Sequence, residues 1–270
     1  MKLSYVLLLV FFISCSSSRH QNIAYQSLEG KLKDETLMMG NAKKSMSSLA
    51  SCYNGEMNKF EKEMHALFIK DPKDWRYWAM MGNCSLWRNQ IREAIFFLKT
   101  SASLTTNASD KATVLSNLGI GYVRLGRYHK ALQTTEEAFK TLSGSRVVAF
   151  NLAQLYLFLN DNQKALDLLS ELQSTSGEEP EIWHFLGLAY LKKGSLPEAA
   201  KYLGRIPANM QDREDIGLTM AEWKIAQGDW ENAEKYLSKR RSSNFLGLEA
   251  RAKELKKRAD DLKNRKRYGP

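Results

Sequence analysis

The feature that most restricts the fold of this 270-residue chain is a pattern that returns about every 34 residues. The segment "NLGIGYVRLGRYHKA" at 117–131 is followed 34 residues later by "NLAQLYLFLNDNQKA" and, after another 34, by "FLGLAYLKKGSLPEA". Extending the alignment gives six such windows, which start at Met46, Met80, Asn117, Asn151, Phe185 and Thr219. A fixed period of this length indicates a stack of similar units, because one unit alone cannot bury its apolar face.

Three positions of the window predict what each unit looks like. The tenth position is always Gly or Asn, which tolerate the left-handed conformation that closes a helix; it is held by Gly55, Asn89, Gly126, Asn160, Gly194 and Gly228. The third position is always small, as two closely packed helices require; it is held by Ser48, Gly82, Gly119, Ala153, Gly187 and Ala221. The last position is Phe60 in the first window and otherwise Ala94, Ala131, Ala165, Ala199 and Ala233. Each unit is therefore predicted to be a helix, a tight turn and a second helix.

Helix ends and connections are predicted as well. Ser195 and Glu198 have the spacing of a capping box, and Pro180 suits the first turn of a helix. We expect residues 143–145 and 174–177 to separate units. The three residues added in the second interval are expected to form a longer loop within 103–111.

The pattern resembles the tetratricopeptide repeat (TPR), whose 34-residue unit has Trp, Leu-Gly, Tyr and Ala at fixed places. The fifth unit matches most fully, with Trp183, Leu186, Gly187, Tyr190 and Ala199. The resemblance implies an all-α fold, a TPR superhelix (α-solenoid) of about six helix-turn-helix repeats within 42–240. Its units are predicted near 42–72, 75–108, 112–143, 146–178, 180–211 and 214–241.

The last part of the chain, 242–270, is predicted to be a basic capping helix and tail. An apolar seam recurs there at helical steps, formed by Leu248, Ala252, Leu255, Ala259 and Leu262. We expect the seam to pack on the last repeat while the basic face stays in water.

The first residues indicate export and not fold. After Lys2 comes an apolar run from Tyr5 to Ile13, about half the length of a membrane-spanning helix, which is typical of a signal peptide. Its end at Ser14-Cys15 resembles the lipobox of bacterial lipoproteins, which implies a signal peptide at 1–14 and a lipidated Cys15. In that family Ser16 favours the outer membrane, and 15–41 would be a flexible tether facing the periplasm. A plain secretory signal and a short uncleaved anchor are the alternatives.

Motifs for chemistry are missing from the sequence. The four histidines have no metal-ligand spacing, and no Gly-rich phosphate loop or nucleophile motif occurs. We therefore expect no enzyme, no metal and no cofactor. Cys52 and Cys84 lie on the first helices of consecutive units, and two interpretations stay open for them, a disulfide across one repeat or two small buried thiols.

The TPR resemblance also implies a concave groove lined by the first helices, which would bind a partner's helix or extended segment. The outward positions of those helices are Asn83, Trp87, Ile120, Arg124, Phe150, Gln154, Phe158, His184, Leu188, Lys192 and Glu222. The alternative is that these side chains pack against the second helices or the N-terminal segment.

Positive charge is concentrated at the C-terminus. Residues 239–270 contribute +8 of the net charge of +10, and the tail includes Lys256, Lys257, Arg258, Lys263, Arg265, Lys266 and Arg267. Anionic lipid, cell-wall polymer or an acidic protein face would suit it, and a merely solvated cap is the alternative. Nucleic acid is not expected, because an exported protein rarely meets it.

Together these features predict a membrane-tethered TPR adaptor that binds protein partners of the bacterial cell envelope. The architecture is also similar to the type IV pilus pilotins, lipoproteins that assist assembly of a secretin ring. The rival prediction is a binder of anionic polymer or membrane surface through the basic tail.

Overall fold

The computed structural model describes residues 42–239 and 246–268, and every regular element in these ranges is a helix. The helices are α1 Ala42–Tyr53, α2 Met57–Lys70, α3 Trp75–Trp87, α4 Ile91–Leu104, α5 Ala108–Arg124, α6 Tyr128–Thr141, α7 Arg146–Phe158, α8 Asn162–Ser176, α9 Pro180–Lys193, α10 Leu196–Leu203, α11 Ala208–Gln211, α12 Glu214–Ala226, α13 Trp230–Ser238 and α14 Leu246–Tyr268. The predicted all-α fold is confirmed. The predicted signal peptide, Cys15 and the tether at 15–41 lie outside the described residues.

The turn inside every helix pair lies at the predicted residue. All six tenth positions have a positive φ, between 61° and 81°: Gly55, Asn89, Gly126, Asn160, Gly194 and Gly228. At each turn the following residue donates its N–H to a carbonyl five residues back, as Arg127 does to Tyr122 at 2.9 Å. This bond satisfies a carbonyl that the helix end leaves open. The Gly/Asn prediction is therefore confirmed at all six sites.

The small positions are where the two helices of a pair pack. A Cβ added to Gly82 would lie 2.6 Å from Leu98 Cγ, well inside van der Waals contact. Gly119 faces Thr135 and Gly187 faces Leu203 in the same way. The alanines of the last window position are all fully buried. Because these positions hold small residues, the two helices approach one another closely, and no room remains for a larger side chain.

Three predictions about helix ends and connections are wrong, and two are confirmed. Residues 143–145 do separate two units, because α6 ends at Thr141 and α7 begins at Arg146. Ser195 precedes α10, but its side chain makes no capping bond, and its own N–H is already bonded to the Tyr190 carbonyl, which leaves Glu198 no role in a box. The added residues of the second interval lengthen α5 to 17 residues instead of forming a loop, because the Asn107 side chain caps that helix at Ser109 and Asp110. Helix α8 continues to Ser176, through most of the predicted separator at 174–177. Pro180 does begin α9.

The chain divides into two compact units, with the boundary between Val148 and Ala149. We call the described residues before it the N-terminal unit and those after it the C-terminal unit. The N-terminal unit has apolar clusters around Phe60 and Leu98. The C-terminal unit has a cluster around Trp183 and Leu203.

The capping helix α14 packs within the C-terminal unit against α12 and α13. It buries Ala252, Leu255 and Ala259 of the predicted seam. The prediction that its basic side chains stay in water is wrong for Arg251, whose side chain is only 4% exposed. In the parts of the chain that the structure describes, no helix is both long and apolar enough to cross a membrane.

Candidate partner-binding surface

In the N-terminal unit, four predicted groove residues remain partly exposed on the first helices α3 and α5. They are Asn83, Trp87, Ile120 and Arg124, and we call them the N-terminal groove face. Consecutive first helices bring them together because each unit repeats the same helix phase. These side chains offer an amide, an indole, an aliphatic surface and a guanidinium, which can bond to a peptide main chain and stack on its side chains.

Specific contacts hold this face in place. Asn117 Nδ2 donates to Asn83 Oδ1 at 3.0 Å, which links α5 to α3. Arg124 Nη1 donates to the carbonyl of Leu86. The Trp87 ring lies 5.0 Å from that of Tyr53 on α1, centroid to centroid. A surface fixed in this way loses little conformational freedom when it binds a partner.

In the C-terminal unit, the prediction that Gln154, Phe158, His184 and Leu188 face solvent is wrong, because all four are buried. The physical reason is that α7 and α9 have no continuous solvent-exposed stripe along these residues. Residues 152–158 and 182–189 are buried without interruption. Phe150 is partly buried and packs edge-on against Phe185, with ring centroids 5.2 Å apart.

His184 belongs instead to a buried polar network between α9 and α12. Its Nε2 lies 2.8 Å from Thr219 Oγ1, and its Nδ1 lies 3.8 Å from Asp215 Oδ2. The Thr219 hydroxyl donates its single proton to the Asp215 carbonyl at 3.1 Å. Its oxygen must therefore accept from His184, which puts the imidazole proton on Nε2 and leaves Nδ1 without a hydrogen-bond partner.

Burial decides the charge state of this histidine. It lowers the pKa of His184 to about 4, against the raising effect of Asp215, and Arg213 and Arg251 lower it further. The imidazole is therefore neutral at pH 7. Burial, the largest single influence, would raise the pKa of Asp215, but the charge and hydrogen bond of Arg213, together with smaller contributions that include the backbone N–H of Ile216, outweigh it and the pKa is lowered. Arg213 Nη2 lies 2.9 Å from Asp215 Oδ2, and its Nη1 bonds Glu181 at 3.1 Å.

A second part of the network joins α14 to the repeats. Arg251 Nη2 lies 2.7 Å from Glu222 Oε2 and 3.2 Å from Thr219 Oγ1. Burial opposes ionisation of Glu222, yet the charge and hydrogen bond of Arg251, together with the charges of Arg258 and Lys192, bring the pKa of this carboxyl below its usual value. Lys192 donates to the Leu157 carbonyl at 3.1 Å and to Asn160 Oδ1 at 2.8 Å. Burial lowers its pKa to about 8. Lys192 and Glu222 are thus only partly exposed, and internal partners already hold them.

The sequence did not reveal Asp215, Thr219 and Arg251 as members of this network. One available signal was the position of Arg251, which immediately precedes the seam residue Ala252 and follows Leu248 by three residues. A residue at that spacing lies on the border of a helix's buried stripe.

The two cysteines are joined in a disulfide between α1 and α3, with Cα atoms 6.0 Å apart. Both are buried. Of the two interpretations left open by the sequence, the bridge is therefore the one that the structure contains.

The basic tail forms part of α14. Lys256, Lys257, Arg258 and Arg265 are exposed. Two of the cations contact neighbouring side chains. Arg258 lies 3.8 Å from Glu222, and Lys263 lies 4.7 Å above the centre of the Trp230 ring. The side chains of Lys266 and Arg267 lie outside the described residues. Within the described ranges, no three His, Cys, Asp or Glu residues are grouped so that they could hold a metal ion.

Comparison with known proteins bears on the fold. No protein-family model matches the sequence. A stretch of 134 residues is 25% identical to anaphase-promoting complex subunit 3 of Schizosaccharomyces pombe; it makes up 50% of this chain but only 20% of that protein.

Solved structures give longer matches at low identity. The Cut9–Hcn1 complex of the APC/C matches with a TM-score of 0.62 and 16% identity, over 84% of this chain and 45% of the other. PilW, a type IV pilus biogenesis factor, matches with a TM-score of 0.61 and 15% identity, over 78% of this chain and 98% of PilW. YrrB, a TPR protein with a peptide-binding site, matches with a TM-score of 0.52 and 17% identity, over 74% and 97%. This chain has the TPR fold.

Proposed function

We propose that this protein is a non-catalytic TPR adaptor, tethered to the bacterial envelope through Cys15, and that its N-terminal groove face binds a segment of a protein partner. The observation that carries the proposal is the set of partly exposed Asn83, Trp87, Ile120 and Arg124 on adjacent first helices. The corresponding residues Gln154, Phe158, His184 and Leu188 of the C-terminal unit are buried, so they offer a partner less surface.

The fold is consistent with this role. Stacked helix pairs present a long side-chain surface instead of a closed reactive cavity, and such surfaces suit extended or helical segments. YrrB, which has the same fold, carries a peptide-binding site.

A photocrosslinking amino acid at Ile120, introduced into the full-length protein in its native envelope, tests the proposal. Partners should be captured from Ile120 on α5. The matched control is Gln133, which is exposed on α6, the second helix of the same repeat. Capture from Gln133 but not from Ile120 would refute the groove assignment.

A substitution test should use Asn83→Ala with Trp87→Ala. Recovery of the captured partner should fall at least about tenfold, since loss of a buried aromatic anchor commonly costs 2 kcal/mol or more. Aspartate at Phe158 is unsuitable for this purpose, because that ring is buried and the change would damage the fold. The anchor is tested separately, since Cys15→Ser should release the protein from the membrane fraction.

Assistance in assembling a pilus secretin is a narrower form of this proposal. It is favoured by size, because the match extends over 98% of PilW and 93% of Pseudomonas aeruginosa PilF. Deletion of the gene should then reduce heat-resistant secretin multimers in the outer membrane. Wild-type multimer levels in the deletion strain would exclude it.

The alternative function is binding of anionic polymer or lipid through α14. It is supported by the exposed Lys256, Lys257 and Arg265. Binding should disappear when 256–270 is deleted and should weaken steeply with salt, because exposed charges are screened. An interaction that is insensitive to salt would argue against it.

A further inference from the structure

A group of aromatic side chains in the N-terminal unit has a large exposed surface that the proposed groove does not use. Of the four exposed large apolar side chains in the described ranges, three lie here: Phe68 is 36%, Ile69 67% and Phe96 60% exposed. Phe68 and Ile69 lie in the last turn of α2, and Phe96 lies on α4. Both helices are the second members of their pairs, whereas the residues of the N-terminal groove face lie on first helices.

Ring contacts make these residues one continuous patch. Trp78 lies at its centre, with its ring 6.2 Å from Phe68 and 6.2 Å from Phe96, centroid to centroid. Tyr77 and Phe97 extend the cluster, at 5.1 Å and 6.1 Å from Trp78. We call Phe68, Ile69, Tyr77, Trp78, Phe96 and Phe97 the aromatic patch.

The repeat fold does not require this exposure. Trp78 occupies the same repeat position as Trp183, which is buried in the core of its unit. Trp78 instead remains partly exposed and donates its indole N–H to the Pro72 carbonyl at 3.0 Å. Contiguous exposed apolar surface is uncommon on soluble domains and marks a contact with a partner or a membrane.

The surroundings of the patch favour a lipid surface. Lys70 and Lys73 flank the α2–α3 corner and are exposed, against one exposed acid, Asp71. On α4, Arg92 and Lys99 are exposed on either side of Phe96 in sequence, together with one exposed acid, Glu93, so at these two places the exposed cations still outnumber the exposed acids. Aromatic rings between lysines and arginines suit the boundary between acyl chains and anionic headgroups, where the rings are buried and the cations remain hydrated.

The length of the chain before α1 supplies a second argument. From Cys15 to Ala42 there are 26 intervening residues, which span at most about 90 Å when fully extended. A lipid on Cys15 would therefore keep the start of α1 within about 90 Å of the bilayer, which raises the effective concentration of the N-terminal unit at the membrane. This step rests on the proposed anchor.

We infer that the aromatic patch is a bilayer-contact surface, which seats the N-terminal unit on the membrane and leaves its groove face to a protein partner. The lipid on Cys15 would supply attachment, and the patch would supply orientation. Because Ile69 and Phe96 are exposed, their replacement should leave the fold intact.

Vesicle cosedimentation tests the inference without the anchor. The chain from residue 15 onward, carrying Cys15→Ser, is mixed with phosphatidylethanolamine–phosphatidylglycerol vesicles in about 0.5 M NaCl, which weakens binding through the exposed charges of the basic tail and leaves the contribution of the apolar side chains. The partition coefficient should fall about tenfold or more in the Ile69→Asp, Phe96→Asp variant, because the apolar surface that enters the bilayer is lost. The control is the Gln133→Asp, Val147→Asp variant, since both residues are exposed outside the patch and the variant carries the same two added charges; it should bind like the parent chain.

A second measurement uses Trp78 itself. Brominated lipids should quench tryptophan fluorescence in the parent chain, and Trp78→Phe should remove most of that quenching while keeping a ring in the patch. Equal partition coefficients for the Ile69→Asp, Phe96→Asp variant and the Gln133→Asp, Val147→Asp control would overturn the inference. So would loss of a crosslinked protein or of self-association, in place of vesicle binding, in the patch variant. The anchor is tested independently with the Cys15→Ser, Ile69→Asp, Phe96→Asp variant, because the patch by itself would hold Cys15→Ser protein at the membrane. If this variant stays in the membrane fraction of cells, the proposed anchor fails.

Discussion

Replacing His184 by Gln should remove most of the pH dependence of the free energy of unfolding of the C-terminal unit between pH 5 and 7.5. His184 is fully buried, with Nε2 bonded to Thr219 and Nδ1 unpartnered. Glutamine can still bond to Thr219 but does not titrate.

The magnitude follows from proton linkage. Burial lowers the pKa of His184 from 6.5 to about 4, so between these values the unfolded chain binds a proton that the folded chain does not. Stability is therefore unaffected well above pH 6.5 and decreases as the pH falls towards 4. The loss amounts to about 2 kcal/mol at pH 5 relative to pH 7.5. Asp215 and Glu222, whose pKa values are lowered from 3.8 and 4.5, contribute mainly below pH 5.

Urea unfolding followed by circular dichroism at pH 5 and pH 7.5 measures the difference. The wild type should lose about 2 kcal/mol at the lower pH and His184→Gln only a few tenths. His129→Gln is the matched control, because His129 is exposed on α6 of the other unit, and it should behave as wild type. An equal loss in wild type and His184→Gln would refute the buried neutral imidazole.

Three further predictions concern the packing and the covalent and ionic links of the repeats. Gly82→Ala should destabilise the N-terminal unit by about 1–2 kcal/mol in urea unfolding, because overpacking exceeds the gain in helix propensity. Gly121→Ala is its control, since the nearest side-chain atom would be 3.1 Å from the added Cβ. A cost equal to that of Gly82→Ala would contradict the explanation by close helix packing at Gly82. Reduction of the Cys52–Cys84 bridge, which links residues separated by 32 positions, should cost about 3–4 kcal/mol by chain entropy; an unchanged melting temperature in dithiothreitol would argue against a structural bridge. Arg251→Met should cost about 3 kcal/mol, because it leaves a largely buried carboxylate without its main partner, and a loss below about 1 kcal/mol in denaturant titration would show that the pair is dispensable.

The candidate site was predictable to a smaller extent than the fold. Asn83 and Ile120 lie at first-helix positions that sequence spacing alone assigns to a shared face. For His184 and Leu188 the same spacing predicted exposure, and that prediction is wrong because α9 is surrounded on all sides. Periodicity specifies the phase of a residue on its helix, but burial depends on how many neighbours cover that helix. The role of the N-terminal groove face in binding a partner remains a prediction.

The aromatic patch was missed for a related reason. Phe68, Trp78 and Phe96 are separated along the chain. From the sequence alone, each of them is predicted to be an ordinary buried core residue. Only the packing of α2, α3 and α4 brings the three rings together and leaves one side of them uncovered.

The repeating helix pairs can be predicted from the amino-acid sequence alone. Each pair depends on local chemistry, namely a residue that tolerates positive φ at the turn and a small residue where the backbones meet, and both can be read without knowing any distant contact. The tertiary structure decided which charges are internal. His184 lies on α9, Asp215 and Glu222 lie on α12 and Arg251 lies on α14. The burial of these groups is tolerated only because the packing of the three helices places opposite charges and hydroxyls within hydrogen-bond distance. Such distances depend on the mutual position of α9, α12 and α14, which no single repeat encodes.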